Sequence, residues 1–195
     1  MMGGSSYAGN AGIFLIQTLF GLYAGAVMLR FLLAMVRADF YNPVSQFLVK
    51  VTNPLLLPLR RIVPGVMGID MASVVLLIAL QATKLLLIAA VQGFGIHPLG
   101  LLVLSLAELL SLLINIYFFT ILIQVILSWV SPGNYNPAVA LLHSLNEPLL
   151  GRARRILPPI SGFDLSPILV LVGLQLLEML LVAPIQDLGR GLVAG

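Results

Sequence analysis

Lys84 and Glu178 are each the only charged residue of a long apolar stretch, and a shift of 94 residues places one on the other. Glu108 and Arg30 are the single charges of two further apolar stretches. A charge at the centre of a hydrocarbon layer costs about 2.5–3.5 kcal/mol on insertion scales, so each of the four must find a partner, an interface or a use. Gln81 precedes Lys84 by three positions and Gln175 precedes Glu178 by three, which puts each amide on the side of its charge. Asn115 and Gln124 add polar positions in the same setting. Two kinds of chemistry fit these residue types. One is ion pairing and interhelical hydrogen bonding, worth roughly 0.6–2 kcal/mol per contact, with Lys84 neutralised by either Glu108 or Glu178. The other is a polar path for an ion or a proton. Arg30, about six residues from the end of its stretch, can instead snorkel to the interface.

Other chemistries are excluded by what is missing from the sequence. It holds no cysteine, hence no disulfide, thiolate metal site or thiol nucleophile. The two histidines, His97 and His143, fall on opposite sides of the expected membrane and cannot share a metal or haem. No hydrolytic triad and no phosphate-binding or dinucleotide-binding glycine pattern stands out. The expectation is a protein that is not an enzyme and has no cofactor.

The elements that must carry the charges follow from composition. Of 195 residues, 60% are hydrophobic and 9% are charged, and the mean hydropathy is +1.10. Soluble domains carry about 25% charged residues, so the chain belongs in a bilayer. Four stretches reach the roughly twenty residues needed to cross it, Gly12–Val36, Met71–Val91, Leu99–Val130 and Ser166–Ile185, and none alternates as a barrel strand would. The uncharged start of the chain lacks the basic segment of a cleaved signal, so the first span is expected to be retained. Gly21 and Gly25 form a GxxxG expected to allow close helix approach within the monomer.

Lys and Arg near the span ends set the expected orientation. Arg37, Lys50, Arg60, Arg61, Arg152, Arg154 and Arg155 lie in the two long loops, against Arg190 alone on the other side. Both long loops should therefore be cytoplasmic and both termini periplasmic. The positive balance of ten Lys and Arg against seven Asp and Glu points to a membrane surface rather than to nucleic acid.

The same 94-residue shift aligns the halves without a gap, giving 16 identities over the 41 positions from Tyr41 to Gln81. Two spans per copy make this a parallel repeat, with a tail at 1–11 and repeats at 12–98 and 99–195. In each loop Asn42 and Asn136 are N-caps, followed by Pro43 and Pro137 at the first helical position. Val44, Phe47, Leu48 and Val51 make an apolar stripe opposite Ser45, Gln46, Lys50 and Thr52. Ala138, Leu141, Leu142 and Leu145 repeat it opposite His143, Ser144 and Asn146. This predicts an amphipathic helix of about three turns, ended by Pro54 and Pro148 and either interfacial or re-entrant. Asp70 and Asp164, the latter with Ser166-Pro167, are expected to cap the helix that follows.

The second copy reads Ser128-Trp129, Asn136-Pro137, Glu147-Pro148, Arg154-Arg155-Ile156-Leu157-Pro158-Pro159, Gly162-Phe163-Asp164 and Ser166-Pro167. The first reads Asn42-Pro43, Thr52-Asn53-Pro54, Arg60-Arg61-Ile62-Val63-Pro64-Gly65 and Gly68-Ile69-Asp70. This pattern resembles the YggT family of small integral membrane proteins, in its two-repeat bacterial form. The first copy departs from it, with Met35 where Trp129 falls and Ala72-Ser73 in place of Ser-Pro. The resemblance implies an inner-membrane location and links to osmotic stress tolerance, to cell division and nucleoid or plastid distribution, and in plastid relatives to cytochrome haem maturation.

The combined expectation is an all-α integral membrane protein of two tandem hairpins. It would serve as a scaffold or assembly factor whose Arg- and Pro-bearing loops meet anionic lipid headgroups or a membrane-protein partner. The alternative is an oligomeric channel or transporter component using Lys84, Glu108 and Glu178.

Overall fold

The structure is a computed structural model and describes residues 7–66, 68–130, 136–158 and 164–194. Tyr135, Pro159, Gly162 and Phe163 of the repeat motifs lie outside the described residues. The elements are α1 (Tyr7–Met35), α2 (Pro43–Ile62), α3 (Met71–Gln92), α4 (Pro98–Val130), α5 (Pro137–Ile156), α6 (Ser166–Leu177), a π-helical turn (Glu178–Val182) and α7 (Ala183–Ala194). Four helical rods are long and apolar enough to cross a membrane: α1, α3, α4 and the continuous Ser166–Val193. Only 11% to 22% of the most apolar window of each is buried inside the protein. The rest, including Phe14, Leu19, Val172 and Leu180, faces outward as lipid-exposed helices require and as water would not tolerate.

α1 packs on α3, α3 on α4, and α4 on α6 and α7, so α4 joins the two repeats. One core gathers Val27, Leu32, Leu56 and Leu77 of the first repeat with Leu141 and Leu145 of the second. A smaller core holds Ile114, Ile121, Leu150, Leu174 and Val182. Asn42 and Asn136 cap α2 and α5 as their sequence context predicts, accepting from Val44 N–H at 3.0 Å and Ala138 N–H at 2.9 Å. The Asn42 amide also donates to Pro137 O at 2.7 Å, which ties the starts of the two loop helices together across the repeat boundary. At the end of α3, Gly93 takes the left-handed conformation (φ 77°), and Phe94 N–H bonds back to Ala89 O, a Schellman ending.

Three expectations are corrected. Pro54 and Pro148 do not end the loop helices: α2 and α5 each run 20 residues, through Pro54, Pro58 and Pro148. An interior proline costs about 3 kcal/mol, but continuing the helix seats Leu56 and Leu150 in the core, each worth about 1.5–3 kcal/mol. Each loop thus carries one continuous helix of 20 residues. Ser45, Thr52 and Asn146, placed on the solvent faces by periodicity, are buried against the spans, while Val44, Phe47 and Leu55 point outward. For Thr52 and Asn146 the physical reason is a polar residue in each span that reaches across to the loop helix, described below.

Gly21 and Gly25 face open space, so they seat no neighbouring helix. Close approach occurs instead at Gly100 and Gly189, where an added Cβ would come within 2.7 Å of Val193 and Leu104 respectively. It is there that α7 lies against the start of α4. The last rod also extends past Ile185 to Ala194, and its π-helical turn, with Ala183 N–H bonding to Glu178 O, precedes Pro184, whose ring needs a widened turn.

Candidate functional site

The polar side chains of the rods gather in two levels. At the first, Lys84 Nζ on α3 donates to Glu108 Oε2 on α4 at 2.9 Å. The Lys84 side chain is 12% exposed and that of Glu108 37%. Of the two glutamates the sequence left open as partners for Lys84, the structure selects Glu108. Glu178 instead meets α4 nearly one turn further along, where Ser111 Oγ donates to its Oε1 at 2.7 Å and the Asn115 amide in turn donates to Ser111 O at 2.8 Å. Glu178 Oε2 is buried without a hydrogen-bond partner. Gln81 is buried beside Lys84, whereas Gln175 is exposed, so the shared offset of three residues does not give the two amides the same surroundings.

The second level lies where the loop helices meet the spans. Arg30 reaches the loop helix α2: its Nη1 donates to Thr52 Oγ1 at 2.6 Å and Asn53 Oδ1 at 2.9 Å, with a longer contact to Val49 O at 3.5 Å. Thr52 is wholly buried, and its own hydroxyl donates to Leu48 O at 2.6 Å. In the second repeat the same positions meet again. Gln124 falls on Arg30 and Asn146 on Thr52; Asn146 Nδ2 donates to Gln124 Oε1 at 2.8 Å, and its Oδ1 accepts from Thr120 Oγ1 at 2.9 Å. His143, the counterpart of Val49, lies 3.0 Å from Gln124 Nε2. Each repeat therefore bolts its loop helix to its first span with one polar clamp, charged in the first copy and neutral in the second. The 94-residue offset alone relates both clamps, a signal present in the sequence that the span-by-span reading did not use.

A third pairing joins residues the motifs singled out. Arg60 donates to Asp70 at 2.5 Å, and Arg154 to Asp164 at 3.0 Å and to Glu147 at 2.9 Å. The first arginine of each Arg-Arg-Ile is thus committed within the protein, closing the turn between loop helix and following span. In the first copy that turn holds Gly68 at φ 81°, where a glycine is needed. Asp70 also caps α3 through Ser73, and Asp164 accepts from Ser166 N–H at 2.9 Å. Pro64 and Pro158 are exposed within these turns. Arg37, Lys50, Arg61, Arg152 and Arg155 are exposed and make no ion pair among the described residues.

Burial works to raise the Asp70 carboxyl, but hydrogen bonds from Arg60 and Ser73 prevail and hold it below the usual carboxylate range. Asp164 is held low in the same way, its burial outweighed by donors from Ser166 and Arg154. Carboxyls depressed on folding stabilise fully above the unfolded value of about 3.9, and that stability is lost as pH falls through the lower folded value. Asp70→Asn is expected to cost about 1 kcal/mol or less and to flatten the acid limb of a thermal unfolding series from about pH 3 to 7. An acid limb as steep as in the parent would count against the pairing.

Four long apolar rods and a gapless duplication define the class: a multi-pass helical membrane protein built from tandem repeats. The model of the CCB3/YggT family matches residues 9–91 and again 103–185, two stretches whose limits differ by the same 94 residues as the internal repeat. The chain belongs to the CCB3/YggT family. It is 49% identical over 175 residues to the uncharacterized protein PA0392 of Pseudomonas aeruginosa, covering 89% of each chain. It is 37% identical over 188 residues to the protein YggT of Escherichia coli K12, covering 95% of this chain and 97% of that one. A shorter likeness, 34% over 67 residues and 70% of the relative, joins it to the ycf19 protein of Porphyra purpurea. No solved structure matches the chain.

Proposed function

We propose that the chain is a non-enzymatic scaffold or assembly factor of the bacterial inner membrane, acting in envelope or division processes. In this reading α2 and α5 form a platform at the cytoplasmic surface and both termini are periplasmic. The observation that carries it is the use made of the polar residues. Arg30, Gln124, Arg60 and Arg154 are spent on holding the two loop helices in place, and five cations with no ion pair among the described residues are left over on the same end of the molecule. Rigid placement of a basic face suits contact with anionic headgroups, at about 1 kcal/mol per charge near the surface, or with an acidic membrane-protein partner. An open groove of about 650 Å³, lined by Val36, Glu147, Arg152 and Arg155, lies on that face.

One observation favours a second reading, an oligomeric channel or transporter component in ion or osmotic homeostasis: the unpartnered Glu178 Oε2 beside Ser111. Reconstitution into liposomes separates the two. The scaffold reading expects Lys84→Gln and Glu178→Gln to lower thermal stability and leave ion flux at the level of empty vesicles. Flux that requires either side chain would replace it with transport. Crosslinking in native membranes should then recover a partner at the α2 and α5 face.

A further inference from the structure

Between α1 and α2 of the first repeat lies a pocket of about 250 Å³ that the clamp does not fill. Its polar lining is Arg30, Arg60 and Ser45, and its walls include Leu33, Ala34 and Leu48. Three features of that lining ask for an anion. Arg30 has no carboxylate within ion-pair distance among the described residues, and its hydrogen bonds all run through Nη1. Arg60 reaches Asp70 through Nη2 alone and keeps 39% of its side chain exposed. Ser45 is 8% exposed, and its hydroxyl is buried with no hydrogen-bond partner. A partly buried guanidinium with no carboxylate in ion-pair contact is costly, and a phosphoryl group supplies both the charge and acceptors for the serine hydroxyl and both arginines.

The second repeat provides the comparison. On the same scaffold Gln124 stands in place of Arg30 and Val139 in place of Ser45, and Arg154 is held by both Glu147 and Asp164. Charge, hydroxyl and spare donors are withdrawn together there, so the feature belongs to the first copy and not to the fold.

We propose that this pocket binds the phosphate of one anionic phospholipid, with the first carbons of an acyl chain against Leu33, Ala34 and Leu48. Its volume is below the roughly 300–1,000 Å³ of a site that engulfs a small molecule, which suits a headgroup whose chains remain in the bilayer. The apolar walls commit the source to lipid rather than free phosphate. The inference rests on the reading that this end of the molecule lies at a membrane surface.

Native mass spectrometry of the full-length protein, released from phosphatidylcholine nanodiscs doped with phosphatidylglycerol, tests it. One phosphatidylglycerol is expected to remain bound. Arg30→Gln, which installs the residue the second repeat carries, and Ala34→Phe, which fills the pocket and leaves every polar group intact, should each weaken retention about tenfold or more. Should Arg30→Gln fail to fold, Ala34→Phe decides. The triple variant Arg61→Gln, Arg152→Gln, Arg155→Gln, which strips the scaffold face of its surface arginines, should keep the bound lipid. The proposal is overturned if the pocket variants retain lipid like the parent, if the triple variant loses it equally, or if inorganic phosphate binds as well as the lipid. None of these readings depends on ion flux, so failure of the scaffold function and failure of the lipid site give different results.

Discussion

Glu108→Ala is expected to destabilise the protein by about 3 kcal/mol, because it leaves Lys84 charged, 88% withdrawn from its surroundings and without its counter-ion. Lys84→Met is expected to destabilise as well, since it leaves Glu108 without its counter-ion in an apolar setting. The double variant Lys84→Met, Glu108→Leu should recover most of the loss. A buried pair replaced by apolar groups of similar size is often neutral, whereas half of a pair is not. Thermal unfolding in detergent, run as a double-mutant cycle, reads the coupling directly. Additive single costs would mean that the 2.9 Å contact does not hold the α3–α4 seam.

The second large effect is expected at Asn146. This wholly buried amide donates to Gln124 and accepts from Thr120. Asn146→Leu leaves the buried Gln124 Oε1 without its donor, while Thr120 keeps Tyr117 O as an acceptor. A buried polar group left unpaired costs about 1–3 kcal/mol, and a loss of about that size follows. Because the loss falls on the clamp, α5 should loosen before the rods separate. Hydrogen exchange is expected to show faster amide exchange across Pro137–Ile156 in the variant, with α3 unchanged. Uniform acceleration over the whole chain would show that Asn146 serves the global core and not the seating of one helix. Thr52→Val is the matching change in the first repeat, where Arg30 keeps Asn53 as an acceptor and the effect should be smaller.

The corrections share one cause. Periodicity assigned Ser45, Thr52 and Asn146 to a solvated face because amphipathic patterning assumes that polar residues seek water. Thr52 and Asn146 are buried because the neighbouring span offers a polar side chain in their place, and no pattern within α2 or α5 alone records what stands opposite. The prolines misled for a related reason: their local penalty is visible in the sequence, while the burial of Leu56 and Leu150 that offsets it depends on a neighbouring rod.

The amino-acid order by itself determined the number of rods, the duplication, the caps at Asn42, Asn136 and Asp70, and which charges had to be reconciled with an apolar setting. These are local or one-dimensional properties, set by hydropathy over about twenty residues, by a fixed offset or by a side chain meeting its own backbone. Only the tertiary structure decided that Lys84 takes Glu108 while Glu178 takes Ser111, that Arg30 takes Thr52 and Asn53 as its partners, and that Arg60 and Arg154 turn inward to Asp70 and Asp164. Partner choice among groups of similar depth is set by helix rotation and by the side chains that pack between them, and those are properties of the assembled helices rather than of any one segment.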